Sequence, residues 1–225
     1  MDFNLSVLWN TKHLILSGFF TTLLLAVVII PIGTALGLGV AICMKSKNGF
    51  VKTLSSLFTN FIRAMPIFVM IIWVYYALPI IAGIKISAFE TGVVVLSLHL
   101  CGYVAELIRS GIETIPKGQI EAAKSLGMND FEILRRITLP QVFRQIASPL
   151  AGTYIEEIKN TPLLSVIALD ELLHTGQVII SQTYRPLEIY TAIAIIFLVI
   201  LLPIGFLGRK YEFTFMKKAE AAANE

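Results

Sequence analysis

The sequence predicts an all-α polytopic membrane protein with five transmembrane helices, its N-terminus outside and its C-terminus in the cytoplasm. Three observations carry that expectation. The 225 residues are 56% hydrophobic and only 15% charged, with a mean hydropathy of +0.78, whereas soluble domains carry about a quarter charged residues. Five apolar segments reach the ~20 residues that a helix needs to cross the hydrocarbon core. Lysine and arginine gather on alternate connections, as the positive-inside rule requires.

The first span is expected at 14–44. Only Lys12 stands before it, and it exceeds the ~7–15 apolar residues of a signal-peptide core, so it reads as an uncleaved span. It contains Pro31, Gly18, Gly33, Gly37 and Gly39. The stretch GTALGLG is a small-xxx-small pattern that favours close helix packing; no Lys-Ser or Lys-Thr directly follows its last glycine to make a phosphate loop. The remaining spans are expected at 54–82, 88–111, 142–169 and 188–208, giving one transmembrane domain over residues 1–225. The end of the chain, KKAEAAANE, reads as a frayed or helical tail without chemistry of its own. Cys43 and Cys101 both lie in apolar runs and read as buried small hydrophobes.

Charge sets the direction. Lys45, Lys47, Lys52 and Arg63 lie between or at the edges of spans one and two. Arg109, Lys117, Lys124, Arg135, Arg136 and Arg144 lie between or flank spans three and four, and Arg209, Lys210, Lys217 and Lys218 follow span five. Fourteen of the eighteen basic residues thus fall on one side, which an odd number of spans accommodates. That side is the cytoplasm. The net charge of +3 is too small to argue for a nucleic-acid partner.

The cytoplasmic segment 116–140 carries the signals of two short helices. Pro116 can open the first at N1, Ile120, Ala123 and Leu126 recur at helical spacing, and Gly127 can close it in a left-handed C-cap. Asn129 with Glu132 makes a capping-box pair for the second. Ile133, Leu134 and Ile137 give it an apolar face, and Pro140 marks re-entry into the membrane. By physics alone this is either an interfacial helix–turn–helix or a docking surface, with Ala122 and Ala123 small enough to admit a close partner.

The spacing of Glu121, Ala122, Ala123, Gly127, Ile137, Leu139 and Pro140 resembles the EAA loop of permease subunits of binding-protein-dependent ABC importers, with no departure. The stretch FIRAMPIFVMIIWVYYALP resembles the second span of the polar amino acid subfamily, in which Arg63 and Pro66 match the usual R-G-T-P opening while Ala64 and Met65 depart. GYVAELIRSGIETIPKGQ resembles the approach to its coupling loop. KNTPLLSVIALDELL resembles its fourth span, usually K-D-T-S-L; Lys159 and Thr161 match, while Asn160 and Pro162 depart. The resemblance implies coupling helices that fit a cleft of a separate ABC ATPase, a second permease chain, identical or paralogous, and an extracytoplasmic solute-binding protein. It further implies a polar amino acid as substrate and a multi-pass place in a bacterial cell (inner) membrane. This chain would be a transport subunit and not an enzyme. It has no Walker-type phosphate cradle, no metal-ligand cluster and no Ser-His-Asp arrangement, so no cofactor is expected on it; ATP and Mg2+ would sit on the partner ATPase.

Ionisable groups inside a span are costly and mark candidate pathways. In the fourth span, Thr153, Glu156, Glu157 and Asn160 fall within an arc of about 100°, and Lys159 can pair with Glu156 at i,i+3. Pro162, beside Thr161, would loosen the helix there, and discontinuous helices commonly hold solutes at membrane depth. This stripe either lines the pathway or is an internal Glu156–Lys159 pair that holds spans four and five together. Subfamily members for basic amino acids carry an acidic residue where this chain has Thr153, which weakens the case for a basic substrate, while Glu156 and Glu157 leave it open. In the third span His99, Tyr103 and Glu106 share a face. Glu106 and Arg109 read as a structural ion pair anchoring the span to the coupling loop, and His99 as a hydrogen-bonded core residue. The rival from another class is an ion-coupled secondary transporter or channel that uses Glu156, Glu157 or His99 as a proton site; a membrane scaffold is a third.

Overall fold

The structure is a computed structural model that describes the backbone of residues 5–223 and the side chains of residues 5–206 and 208. All regular elements among them are helical: α1 (Ser6–Asn10), α2 (Lys12–Met44), α3 (Gly49–Ala64), α4 (Ile67–Ile72), α5 (Leu78–Ala82), α6 (Ala88–Glu113), α7 (Lys117–Ser125), α8 (Asp130–Ile133), α9 (Leu139–Asn160), α10 (Leu172–Thr183) and α11 (Pro186–Ala223). The tail expected to be frayed or helical is helical to Ala223; its side chains, with those of Arg209, Lys210, Lys217 and Lys218, lie outside the described residues.

Among the described residues three helices are long and apolar enough to cross a membrane: Lys12–Met44, Ala88–Glu113 and Pro186–Phe206. Two bent pairs raise the number to five if each is one span. The segment expected as a single span at 54–82 is one of them. It breaks at Met65 and Pro66, and α3 meets the α4–α5 stretch at 100°. Pro66 explains the break, because it forces Met65 out of the helical region to φ −79, ψ 129. The fourth span bends by 47° between Ile167 and Leu172. There Pro162 opens a 3-10 stretch, Thr161–Ile167, that ends at Ala168 in the left-handed region with φ 53.

Two prolines sit inside continuous helix by a shared device. In α4–α5 a π-helical stretch, Trp73–Ala77, precedes Leu78 and Pro79; before α9 a second, Leu134–Thr138, precedes Leu139 and Pro140. A proline in α-helix removes one N–H and clashes with the carbonyl four residues back. Widening the turn before it moves that carbonyl away, and Leu78 and Leu139 each donate to the carbonyl five residues back, Trp73 and Leu134. Pro140 therefore does not separate segment 116–140 from the helix that follows. From Asp130 to Asn160 the chain is one helical rod.

The core sits between α2, α6 and α9. Lipid tails are as apolar as leucine, so helices in a bilayer associate through close packing. Gly33 and Gly37 provide it, as the small-residue pattern predicts. A Cβ on Gly33 would lie 2.8 Å from the Leu100 side chain, and one on Gly37 2.7 Å from Val104. The Thr34 and Tyr154 hydroxyls, 2.9 Å apart, add a hydrogen bond between α2 and α9. Cys101 is buried as expected, but Cys43 is exposed: it falls on the face of α2 opposite Ala41 and Met44, which pack inward.

Candidate functional site

A cavity of about 480 Å3 opens between α6, α9 and the start of α4. From α9 it is lined by Gly152, Thr153, Glu156, Glu157 and Asn160, and from α6 by His99 and Tyr103. The helical period puts the α9 residues on one face, and Gly152 leaves room beside them. Glu157 is 1% exposed. Its Oε2 lies 2.8 Å from His99 Nδ1, while its Oε1 is buried without a hydrogen bond of good geometry among the described residues, although the Asn160 side chain also acts on this carboxylate. The His99 ring stacks at a tilt on Tyr103, centroids 4.9 Å apart, and Arg63 lies over the Tyr103 ring at 5.4 Å. Leaving a buried acceptor unbonded costs about 1–3 kcal/mol, and native proteins rarely tolerate it without a use.

The other residues of the expected stripe are not in this cavity. Lys159 binds Glu156 at 2.7 Å, as i,i+3 spacing predicts, but both partners are exposed and both lie on α9, so the pair does not join α9 to α11. That contact is made by small residues instead: a Cβ on Gly208 would meet Ala151 at 2.6 Å. Thr161 is fully buried and donates to the Ile158 carbonyl at 2.8 Å. The third span supplies His99 and Tyr103 to the cavity wall, although its residues read as structural in sequence. His99 and Tyr103 at i,i+4 were a visible polar pair; Glu157, 58 residues further on, was not a visible partner.

Glu106 and Arg109 do pair, in a two-pronged geometry at 2.6 and 2.9 Å. Their neighbours differ from expectation. Arg109 also reaches Glu113 at 2.8 Å, Glu113 takes Lys45 at 3.0 Å, and Arg63 lies 3.8 Å from Glu106. The network ties α6 to the ends of α2 and α3, not to segment 116–140. Glu113, four residues after Arg109, was the legible part of it.

In the segment 116–140 the local signals are realised. Pro116 is the N-cap of α7, one position earlier than N1. Gly127 has φ +80, and the Met128 N–H to Ala123 and Gly127 N–H to Lys124 bonds complete a Schellman closure. Asn129 and Glu132 form the reciprocal capping box. Glu121 and Ala122 are exposed, Ala123 is buried, Ile137 and Leu139 are half-buried, and Pro140 is exposed. Leu126 and Phe131 project at the tip, 82% and 68% exposed. The segment is tied to the α2–α3 turn by Lys47 to Asp130 at 2.6 Å. The hydrogen bond from Lys47 holds the Asp130 carboxyl below its ordinary range.

Comparison with known proteins places this architecture. A family model described as the binding-protein-dependent transport system inner membrane component matches residues 29–212. A glutamine transport system permease protein of Escherichia coli (strain K12) is 32% identical over 213 residues, 94% of this chain and 97% of that protein. A probable glutamine ABC transporter permease protein of Bacillus subtilis (strain 168) is 30% identical over 202 residues, 90% and 93% of the two chains. A solved amino acid ABC transporter, crystallised with histidines, superposes with a TM-score of 0.86 at 32% identity, covering 95% of this chain and all of that one. The inward-facing MetNI methionine ABC transporter shares the fold, with a TM-score of 0.78 at 18% identity.

Proposed function

This chain belongs to the family of binding-protein-dependent transport system inner membrane components and is an ABC importer permease subunit; on that premise we propose that its cargo is a polar amino acid. The observation that carries this reading is the cavity of His99, Tyr103, Thr153, Glu156, Glu157 and Asn160, with one buried carboxylate oxygen left without a donor. An amide or ammonium group of the solute supplies that donor. Glutamine is the first candidate, being the substrate in the names of the two relatives above.

Transport needs a motor, and segment 116–140 is the proposed place for it. Glu121, Ala122, Ala123 and Gly127 with the exposed tip residues meet a separate ATPase, which binds the ATP and Mg2+. Ile137, Leu139 and Pro140 lie in the rod that follows. Because Asp130 to Asn160 is one rod, about 45 Å long at ~1.5 Å per residue, a push at its tip reaches the cavity wall without a soft joint. ATP-driven closure draws two such segments together and turns the cavity outward; hydrolysis resets it. A second permease chain completes the pore, and a solute-binding protein delivers cargo from outside the bacterial inner membrane.

The test is uptake of labelled glutamine and other polar amino acids into vesicles that hold the permease with its ATPase, fed by the binding protein. ATP-dependent uptake is expected, lost in Gly127→Val, because a β-branched side chain at φ +80 strains the turn by about 1–2 kcal/mol or more, while the chain still inserts. Uptake that persists in this variant and follows a proton gradient would show an ion-coupled transporter instead, with His99 and Glu157 as its proton site.

A further inference from the structure

Helix α3 is divided lengthwise into three faces. At about 100° per residue, Phe50, Leu54, Leu57 and Phe61 fall within an arc of about 60°, and all four are 57–75% exposed. Thr59 and Ile62 are buried on a second face, where Gly102 of α6 makes room: a Cβ there would meet Ile62 at 3.0 Å. Lys52, Ser56 and Asn60 form the third, lining with Lys45 a cavity of about 500 Å3 that opens away from the apolar stripe. An apolar stripe opposite a charged and polar face is the pattern of a helix seated at the membrane surface.

The direction of α3 agrees. It meets the α4–α5 stretch at 100°, so when that stretch runs across the membrane α3 runs along it. At ~1.5 Å per residue Ile67–Ala82 covers about 24 Å, short of the ~30 Å hydrocarbon core. The shortfall draws α3 below the headgroups to the acyl boundary. Its end of the bundle is the basic one: Lys45 and Lys47 precede it and contact Glu113 and Asp130 at the ends of α6 and the coupling segment.

We propose that α3 is not part of a span but a surface-seated helix. It lies flat in the cytoplasmic leaflet, with Phe50, Leu54, Leu57 and Phe61 in the acyl boundary and Lys52 toward headgroups and water. The occupant of the stripe is lipid, and the basic flank favours anionic headgroups, which dominate the charge of that leaflet. This goes beyond the permease reading, which is silent on where α3 lies.

The experiment uses the unaltered chain in its permease–ATPase complex, in phosphatidylethanolamine–phosphatidylglycerol vesicles doped with a phosphatidylglycerol carrying a diazirine near the top of one acyl chain. After irradiation and peptide mapping, adducts are expected on Phe50, Leu54, Leu57 and Phe61, and on Leu198 and Leu202 of α11, but not on Ser56 or Asn60. Labelled α11 with unlabelled α3 overturns the proposal, since the stripe is then covered by a second permease chain. Nitroxides on Leu54→Cys and Phe61→Cys give the geometry. Equal depths are expected, with high oxygen and low nickel-chelate collision rates; depths that differ by the rise of a spanning helix overturn it. Neither failure touches glutamine uptake, so the two readings fall separately.

Discussion

Helix α6 carries two polar clusters along its length, and they are built on opposite terms. At His99 the partner comes from another helix, Glu157 is 1% exposed, and one carboxylate oxygen is left unbonded. At Glu106, Arg109 and Glu113 every group is partly exposed, and each carboxylate takes two cations or two donors. The second arrangement is saturated and has nothing left to offer a ligand. The first is strongly desolvated and incomplete. In a low-dielectric setting an incomplete polar group is costly, so its presence is better explained by use than by stability. The difference teaches that charge content along a span does not identify a site; unfilled hydrogen-bonding capacity does.

Four variants break or sharpen that contrast. Glu157→Gln has the largest expected effect. It keeps the shape and can still bond His99, but it removes the charge; hydrogen bonds to charged groups are worth about 1.5–3 kcal/mol, so glutamine uptake should fall roughly tenfold or more with chain levels unchanged. Unchanged uptake would erase the distinction between the clusters. His99→Leu comes next. It strands the remaining Glu157 oxygen and should destabilise the complex by about 1–3 kcal/mol, read by thermal unfolding in detergent. Adding Glu157→Leu should recover most of that loss, and its failure to do so would show that the two side chains are not coupled.

Arg109→Ala tests the saturated cluster. It frees two carboxylates that are already partly hydrated, so Tm should drop by a few degrees while the concentration dependence of uptake stays where it was. A changed KM would make this cluster part of the pathway. The smallest effect belongs to Lys47→Ala. That ion pair is exposed on both sides, and such pairs are screened by salt, so no stability change is expected at physiological ionic strength. A clear loss of ATPase coupling with stability intact would assign the contact a part in transmission.

Much of segment 116–140 was legible because its signals are local. Gly127 marks a left-handed residue, and Asn129 with Glu132 marks a cap, wherever the rest of the chain goes. The break in the second expected span went unseen for the same reason turned around. A hydropathy window averages across Met65 and Pro66, and it ignores direction around the helix, which is what separates Phe50, Leu54, Leu57 and Phe61 from Lys52, Ser56 and Asn60. The period was in the sequence; the total apolarity concealed it. Thr161 and Cys43 changed places with expectation because burial depends on which neighbouring helix arrives, and neither residue type announces that.

By itself the sequence determined that the chain is helical, where its glycines permit close contact, and how residues 116–140 cap and turn. Each of these follows from backbone sterics and hydrogen bonds within a few residues, or from the absence of water that forces backbone groups to pair internally. Only the tertiary structure decided that Glu157 meets His99, that Asp130 to Asn160 is a single rod, and that α3 turns aside at 100°. Those outcomes depend on contacts between segments far apart in the chain, where packing and desolvation choose among partners that local chemistry leaves equal.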